Sequence, residues 1–484
     1  MESYIYRPAT ELAEMIRTGK ASSVEIVSEH IGRIKKLDER IHAIVMLFEE
    51  EALRTAAQCD EEARNGQFRG PLHGVPVTIK EAFWMKWTPS TMNFKYFRNF
   101  IADRDALVVE RIRNSGAVII GKTNIPKNLM DYQVKGDLYP EGKSPYGDLY
   151  TPGGSTGGGA AALAAGFTPL ELGSDIGGSV RLPAAFCGLF GLKPTDRTVP
   201  PDGNIPIPKQ AKSFLIHLAS AGPLARNIAD LEVLWKVITG PHPCDRNIPR
   251  IDWQPPTGKP FSDYRIAWVD GWPGFPASRP VSDAIRKLMR AFEKKGGTAV
   301  KGIPDDKLHS DTLDLWVSLF PYVTAQGVPW IIRQLLKMEI KSTFLKGTNA
   351  FNKGLNSAYK MDANHYARAM YTKNQVTERW ENLFKQFDFL ICPVAFGPAY
   401  KRCKIGSRIT YDGNEVIYPH YVWPFTAPFN ASGNPSITIP AGIDSEGLPL
   451  GLQVVGPYWS EPELIHFAGM LAELGSGFNR PSGW

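Results

Sequence analysis

Long apolar runs are missing from this 484-residue chain: none approaches the roughly 18 residues that a membrane-spanning helix needs, so no span is expected. Charge of one sign is not concentrated either. The 55 Lys and Arg residues exceed the 49 Asp and Glu by only +6 and are scattered, which argues for a solvated surface rather than a nucleic-acid-binding stripe. Cysteine is scarce. Cys59, Cys187, Cys244, Cys392 and Cys403 have neither C-x-x-C nor zinc-type spacing, and an odd number in so long a chain reads as reduced thiols in a cytoplasmic protein. There is no H-E-x-x-H, and no glycine loop carries the lysine of a nucleotide-binding P-loop, so neither a metal nor a cofactor is expected. The N-terminal MESYIYRPATELAEMIR has an early acid and no apolar core, unlike a secretory signal. With no repeat, low-complexity tract or linker, the expectation is one large globular domain over residues 1–484 with a substantial core.

Glycine, by contrast, is concentrated where it can do chemistry. Residues 151–195 hold two glycine-rich turns, GGSTGGG and GSDIGGS, carrying Ser155 and Ser179 and separated by an alanine-rich stretch that should be helical. Glycines let the backbone take positive φ and approach a ligand closely. They also leave backbone N–H groups available to a developing negative charge. The unit reads as a nucleophile site with its own oxyanion hole.

Around it, residues 10–65 have helical periodicity, with Ser22 and Glu25 spaced as a capping box. GVPVTIK, ending on Lys80, reads as a short buried strand; residues 106–124 read as helix, glycine turn and the strand AVII. RIAWVDG, a helix over residues 282–295 and a strand near Val300 repeat that rhythm, and FDFLICPV, SITIPAG and LGLQVVG are further buried strands. Such alternation predicts an α/β sheet covered by helices on both faces, with residues 300–430 as a less regular, aromatic-rich addition contributing to a substrate pocket.

Lys80 ends an apolar strand. There it either reaches solvent or sits desolvated, its pKa lowered toward neutrality, where a neutral amine can act as general base for a serine.

In order along the chain, GVPVTIKEAF, GKTNIP, TPGGSTGGGAAALAAG, GSDIGGSVRLPAAFCGLFGLKPT, AGPLARNIADL, NPSITIPAG and LPLGLQVVG resemble the signature blocks of the amidase signature family of serine hydrolases, over roughly residues 10–456. The resemblance implies a mixed central sheet, Ser179 as nucleophile, Ser155 as a bridging serine on a cis peptide and Lys80 as base. It also implies an oxyanion hole from the N–H groups of Ile176, Gly177, Gly178 and Ser179, and an acyl-enzyme on Ser179. Asp175 and Arg181 flank that turn, either holding it by hydrogen bonds or forming a plain ion pair. Thr156 keeps a hydroxyl where the family often has a second serine, and Cys187 reads as a packed core thiol.

The chain also departs from the family. Lys127, Asn128 and Leu129 stand where many members have an acid and an aromatic or methionine. Pro424 takes the place of the aspartate that glutamine-hydrolysing members use, and HLASAGP (217–223) lacks the SLDQ-like sequence of tRNA-dependent amidotransferase subunits. The expected substrate is therefore a small-molecule aryl or alkyl amide, with esters and carbamates (urethanes) as further substrates; the oligomeric state is open, with a homodimer as one candidate. Met130, Tyr421, Trp423 and Phe425 are the foremost candidates for pocket walls, with Phe83, Trp84, Trp87, Trp316, Phe320, Tyr322 and Trp330 behind them. Three alternatives stay open. GGSTG matches a nucleophile elbow with His420 or His466 as partner, and Ser357 with Lys360 matches S-x-x-K without the K-T-G that should follow. The third is a non-catalytic or amidotransferase-type subunit working in a complex.

Overall fold

The computed structural model describes residues 3–205, 218–243, 245–324, 330–344, 351, 354–356, 362–475 and 477–484. Eleven strands form one sheet: β1 (Ile44–Leu47), β2 (Pro76–Lys80), β3 (Val118–Thr123), β4 (Leu170–Asp175), β5 (Phe190–Lys193), β6 (Ser220–Ala225), β7 (Arg265–Trp268), β8 (Thr298–Lys301), β9 (Phe389–Pro393), β10 (Ser436–Ile443) and β11 (Pro449–Val455). Their order across the sheet is β1-β3-β2-β4-β6-β5-β10-β11-β9-β7-β8. The sheet is mixed. β3, β2 and β4 run parallel, as do β9, β7 and β8, while the strands between them pair antiparallel. This is the single α/β domain expected, with helices flanking the sheet.

Alternation along the strands builds the two layers. Val77, Ile79, Ile119, Leu170 and Leu172 join a core cluster with Leu231 of the helix Ile228–Ile238, Ile285 of Arg279–Lys294 and Phe467 of Glu461–Leu474. Val118 and Ile120 point the other way, to Ile31 of Ser23–Leu37, Ala56 of Glu49–Arg64 and Ala161 of Gly157–Ala164. Ser22 does cap its helix: its hydroxyl accepts from Glu25 N, and the Glu25 carboxylate accepts from Ser22 N, so two otherwise orphaned donors are satisfied.

Within residues 300–430 the described residues include the long helices Leu308–Thr324 and Ala363–Phe384 and the interior strand β9. Aromatics from this stretch, among them Trp316, Phe320, Tyr418, Tyr421, Trp423 and Phe425, form a separate core cluster. It packs over the end of the sheet where β2 and β4 finish, through Trp316, whose indole donates to the Ile176 carbonyl at 2.9 Å just beyond β4. Among the described residues, no helix is long and apolar enough to cross a membrane.

Candidate active site

Lys80 and Asp175 are the last residues of β2 and β4, adjacent parallel strands. Ends of neighbouring parallel strands open a crevice in which loops can gather side chains. Two loops do so here: one enters the helix Gly157–Ala164, and the other leads from β4 into the short helix Arg181–Phe186. The GDLYTP stretch before the first serine forms no strand and carries only isolated bridges at Gly147 and Tyr150, so the strand–turn–helix of a nucleophile elbow is absent there.

The lysine does not reach solvent. Its side chain is fully buried, and Nζ lies 2.8 Å from Ser155 Oγ, 3.0 Å from Ser174 Oγ and 3.2 Å from the Ser174 carbonyl. Burial lowers its pKa to about 7 against the opposing pull of Asp175 and Glu171, because the charged form loses its hydration. The Gly154–Ser155 peptide is cis. Ser179 is half-buried, and its hydroxyl bonds to no described residue; its carbonyl accepts from Thr156 N at 3.1 Å, which ties the two serine loops together. Thr156 Oγ1 reaches the Ser174 carbonyl at 3.4 Å.

The Ser179 turn is built around Asp175. One carboxylate oxygen accepts from Gly178 N (2.9 Å), Arg181 Nη2 (2.9 Å) and Asn430 Nδ2 (3.0 Å). The other accepts from Val180 N (3.1 Å) and Arg181 Nε (3.1 Å). Burial would raise this carboxyl, but the Arg181 charge and these hydrogen bonds hold it well below the usual carboxylate range. Arg181, equally buried, also donates to the Thr426 carbonyl, Gln453 Oε1 and Asn430 Oδ1. The pair thus combines both roles left open by the sequence: an ion pair that also shapes the turn. Gly178 has a φ of +112°, and a Cβ there would stand 2.6 Å from Thr426 Oγ1, so the turn closes only with glycine. Thr426 Oγ1 in turn donates to the Gly177 carbonyl at 2.8 Å.

One consequence differs from expectation. Gly178 N–H is engaged by Asp175, whereas the N–H groups of Ile176, Gly177 and Ser179 bond to no described residue. Three of the four expected oxyanion donors stay available. Ser174, Thr426, Asn430 and Gln453 were missed by sequence reasoning. Ser174 lay within the glycine motif itself, but the other three come from distant segments that only the fold brings to Lys80 and Arg181.

Of the pocket candidates, Trp423 lines a narrow apolar crevice beside the turn with Trp316, Phe320, Phe351 and Leu355. Tyr421 and Phe425 are fully buried, Tyr421 with its hydroxyl on the Pro398 carbonyl, while Met130 is half-buried against the same aromatic cluster. Phe83 is buried in the opposite core and Trp87 is exposed. Cys187 is buried, its thiol pushed up by burial and donating to the Pro152 carbonyl. The His420 ring packs against Phe275 and Phe351, and His466 sits on Glu461–Leu474; neither hydrogen-bonds to a described serine. Cys244, His217, the Ser357–Lys360 motif and the Trp330 side chain lie outside the described residues.

Known proteins share this arrangement at the level of sequence and fold. The chain is 30% identical over 490 residues to a glutamyl-tRNA(Gln) amidotransferase subunit of Clostridium botulinum, covering 95% of each chain. Its fold superposes with a TM-score of 0.80 on a bacterial aryl acylamidase of the amidase signature family (21% identity, 99% of each chain). A chain from a vestigial protein complex connected with the origins of an s-triazine catabolic enzyme superposes equally well, with a TM-score of 0.80 at 25% identity over 98% of this chain and all of that one. The Amidase family profile matches residues 25–465, a span that takes in Lys80, both serine loops and the strands that carry them, and the chain therefore belongs to the amidase family.

Proposed function

We propose that this protein hydrolyses aryl or alkyl amides through an acyl-enzyme on Ser179, with Lys80 as general base and Ser155 as relay. The observation that carries the reading is the buried contact between Lys80 Nζ and Ser155 Oγ at 2.8 Å. As a neutral amine, Lys80 takes the Ser155 proton while Ser155 takes that of Ser179, whose Oγ attacks the substrate carbonyl. The carbonyl oxygen becomes an oxyanion facing the N–H groups of Ile176, Gly177 and Ser179, a contact worth roughly 3–4 kcal/mol per donor in hydrolases where it has been removed. The proton returns through Ser155 to the leaving nitrogen as the C–N bond breaks. Water, deprotonated by the same relay, then cleaves the acyl ester. Esters and carbamates react by the same steps.

The apolar rings of Trp316 and Trp423, packed against the Gly177 turn, favour an apolar acyl or aryl group over a charged one. A second reading has one observation in its favour: the 30% identity, over 95% of each chain, to a protein of the amidotransferase type. Against it, Pro424 stands where glutamine-hydrolysing members carry an aspartate, and its carbonyl accepts from His309 Nε2 at 2.7 Å. A hydrolysis screen of the purified chain across anilides, aliphatic amides, aryl carbamates and glutamine separates the two. Turnover of anilides without glutaminase activity supports the amidase. Glutaminase activity alone supports the amidotransferase reading.

A further inference from the structure

Glu171 is a buried acid that this mechanism does not use. It lies on β4, where it pairs with Thr78 of β2, two residues before Lys80. Because Ile79, Leu170 and Leu172 all point into the core cluster on one side of the sheet, Thr78, Lys80, Glu171 and Asp175 share the other side, beneath the helix Gly157–Ala164. Lys80 and Glu171 are thus diagonal neighbours on adjacent strands, and both are fully buried.

The acid is closely seated but only half satisfied. Oε1 accepts from Thr123 Oγ1 at 2.6 Å, and a Cβ on Gly159 of the overlying helix would come within 2.3 Å of it. Oε2 is buried without a hydrogen-bond partner. A carboxylate left this way is costly, so the group does not stay ionised without a compensating charge.

The other charged groups nearby are committed. Asp175, whose charge also favours the Lys80 ammonium, is paired with Arg181 at 2.9 Å. Lys122, from β3, donates to the Pro89 carbonyl and Ser90 Oγ. The Glu81 carboxylate accepts from Thr91, Met92 and Tyr139. The helix Gly157–Ala164 and the strand β6 contribute no titratable side chain.

We propose that Glu171 is a positioning residue for the proposed base, the two buried side chains holding one proton between them so that Lys80 is neutral when Glu171 carries it. The exchange converts Lys80 ammonium and Glu171 carboxylate into amine and carboxylic acid, and the pair's net charge stays at zero throughout. No buried net charge has to be created for the base to become active. The individual affinities agree: burial lowers Lys80 to about 7, opposed by Asp175 and then Glu171, and raises Glu171 to about 7, opposed by the hydroxyls of Thr123 and Thr78 and then by Lys80. Protons therefore leave this pair in steps that belong to both groups rather than to either alone.

This inference rests on Lys80 being the base, and the test keeps the two apart. The rate on a neutral anilide, measured as kcat/KM against pH, is compared for wild type, Glu171→Gln and Thr123→Val. Glutamine keeps the shape of the side chain but carries no charge. Without the carboxylate that favours its ammonium, Lys80 should lose its proton more easily, and the acid limb should move down by roughly 1–2 pH units, the order of effect that one nearby opposite charge has on a buried titrating group. Thr123→Val removes the donor that favours the ionised acid, so it should shift the limb the same way by less, and it decides the matter if Glu171→Gln does not fold. A purely structural Glu171 would lower kcat without moving the limb. A limb that stays put, or moves up, overturns the inference while leaving Lys80 as base. Full activity of Lys80→Ala overturns the proposed function itself.

Discussion

Replacing Lys80 with methionine should make the protein more stable and inactive at once. A lysine that titrates near 7 when native and near 10.5 when unfolded is held at a cost of about 5 kcal/mol wherever both forms are charged. Methionine removes that cost and matches the stem in length, but it gives up the hydrogen bonds to Ser155 and Ser174, worth roughly 1–3 kcal/mol together. The net gain below pH 7 is then about 2–4 kcal/mol. Above pH 7 the unfolded chain still holds the Lys80 proton while the native protein has released it, so wild-type stability rises with pH. The advantage of the variant shrinks by about 1.4 kcal/mol per pH unit between about 7 and 10.5. Losing the ammonium also pushes Glu171 up, which narrows the gap further at alkaline pH. Urea unfolding of both proteins at about pH 6.5, 8 and 9.5 reads this directly. A pH-independent difference, or a variant less stable at pH 6.5, would refute the desolvated lysine.

Three further outcomes follow from the same geometry. Activity should climb about 30-fold from pH 5.5 to 8.5, as the neutral fraction of a base titrating near 7 rises from about 3% to nearly all; Lys80→Arg should be inactive across the whole range, since a guanidinium keeps its proton. Arg181→Met strands the buried Asp175 charge and should cost about 3–5 kcal/mol in chemical unfolding, together with most of the turnover. His420→Ala should leave kcat within a few-fold of wild type, because its ring contacts Phe275 and Phe351 and no serine; a dead variant would bring back a histidine base.

The parts of the fold that were legible beforehand are those where local pattern and burial coincide. The strands at Lys80, Arg265, Phe389, Ser436 and Pro449 stand where short apolar runs are bounded by glycine and proline, and the alanine stretch between the serines is helical. β4 escaped notice because its LELGSD carries a glutamate, a serine and an aspartate on buried positions, and β6, SAGPLA, breaks strand rules with glycine and proline. Polar residues stand in β4 because its outer face is the floor of the candidate site, so the strand reads as a loop for the same reason that it matters. The clamp of Asn430 and Gln453 on Arg181 is a contact across more than 240 residues of chain, which no local pattern encodes.

Every step of the proposed reaction depends on Ser179 forming the covalent bond to substrate. Incubating the protein with a fluorophosphonate, digesting it and locating the adduct by mass spectrometry tests this without knowing the natural amide. A single adduct on Ser179 is expected, absent from Ser179→Ala and strongly slowed in Lys80→Ala, with both variants folded. An adduct on Ser155 or on a cysteine, or labelling that survives Ser179→Ala unchanged, would contradict it.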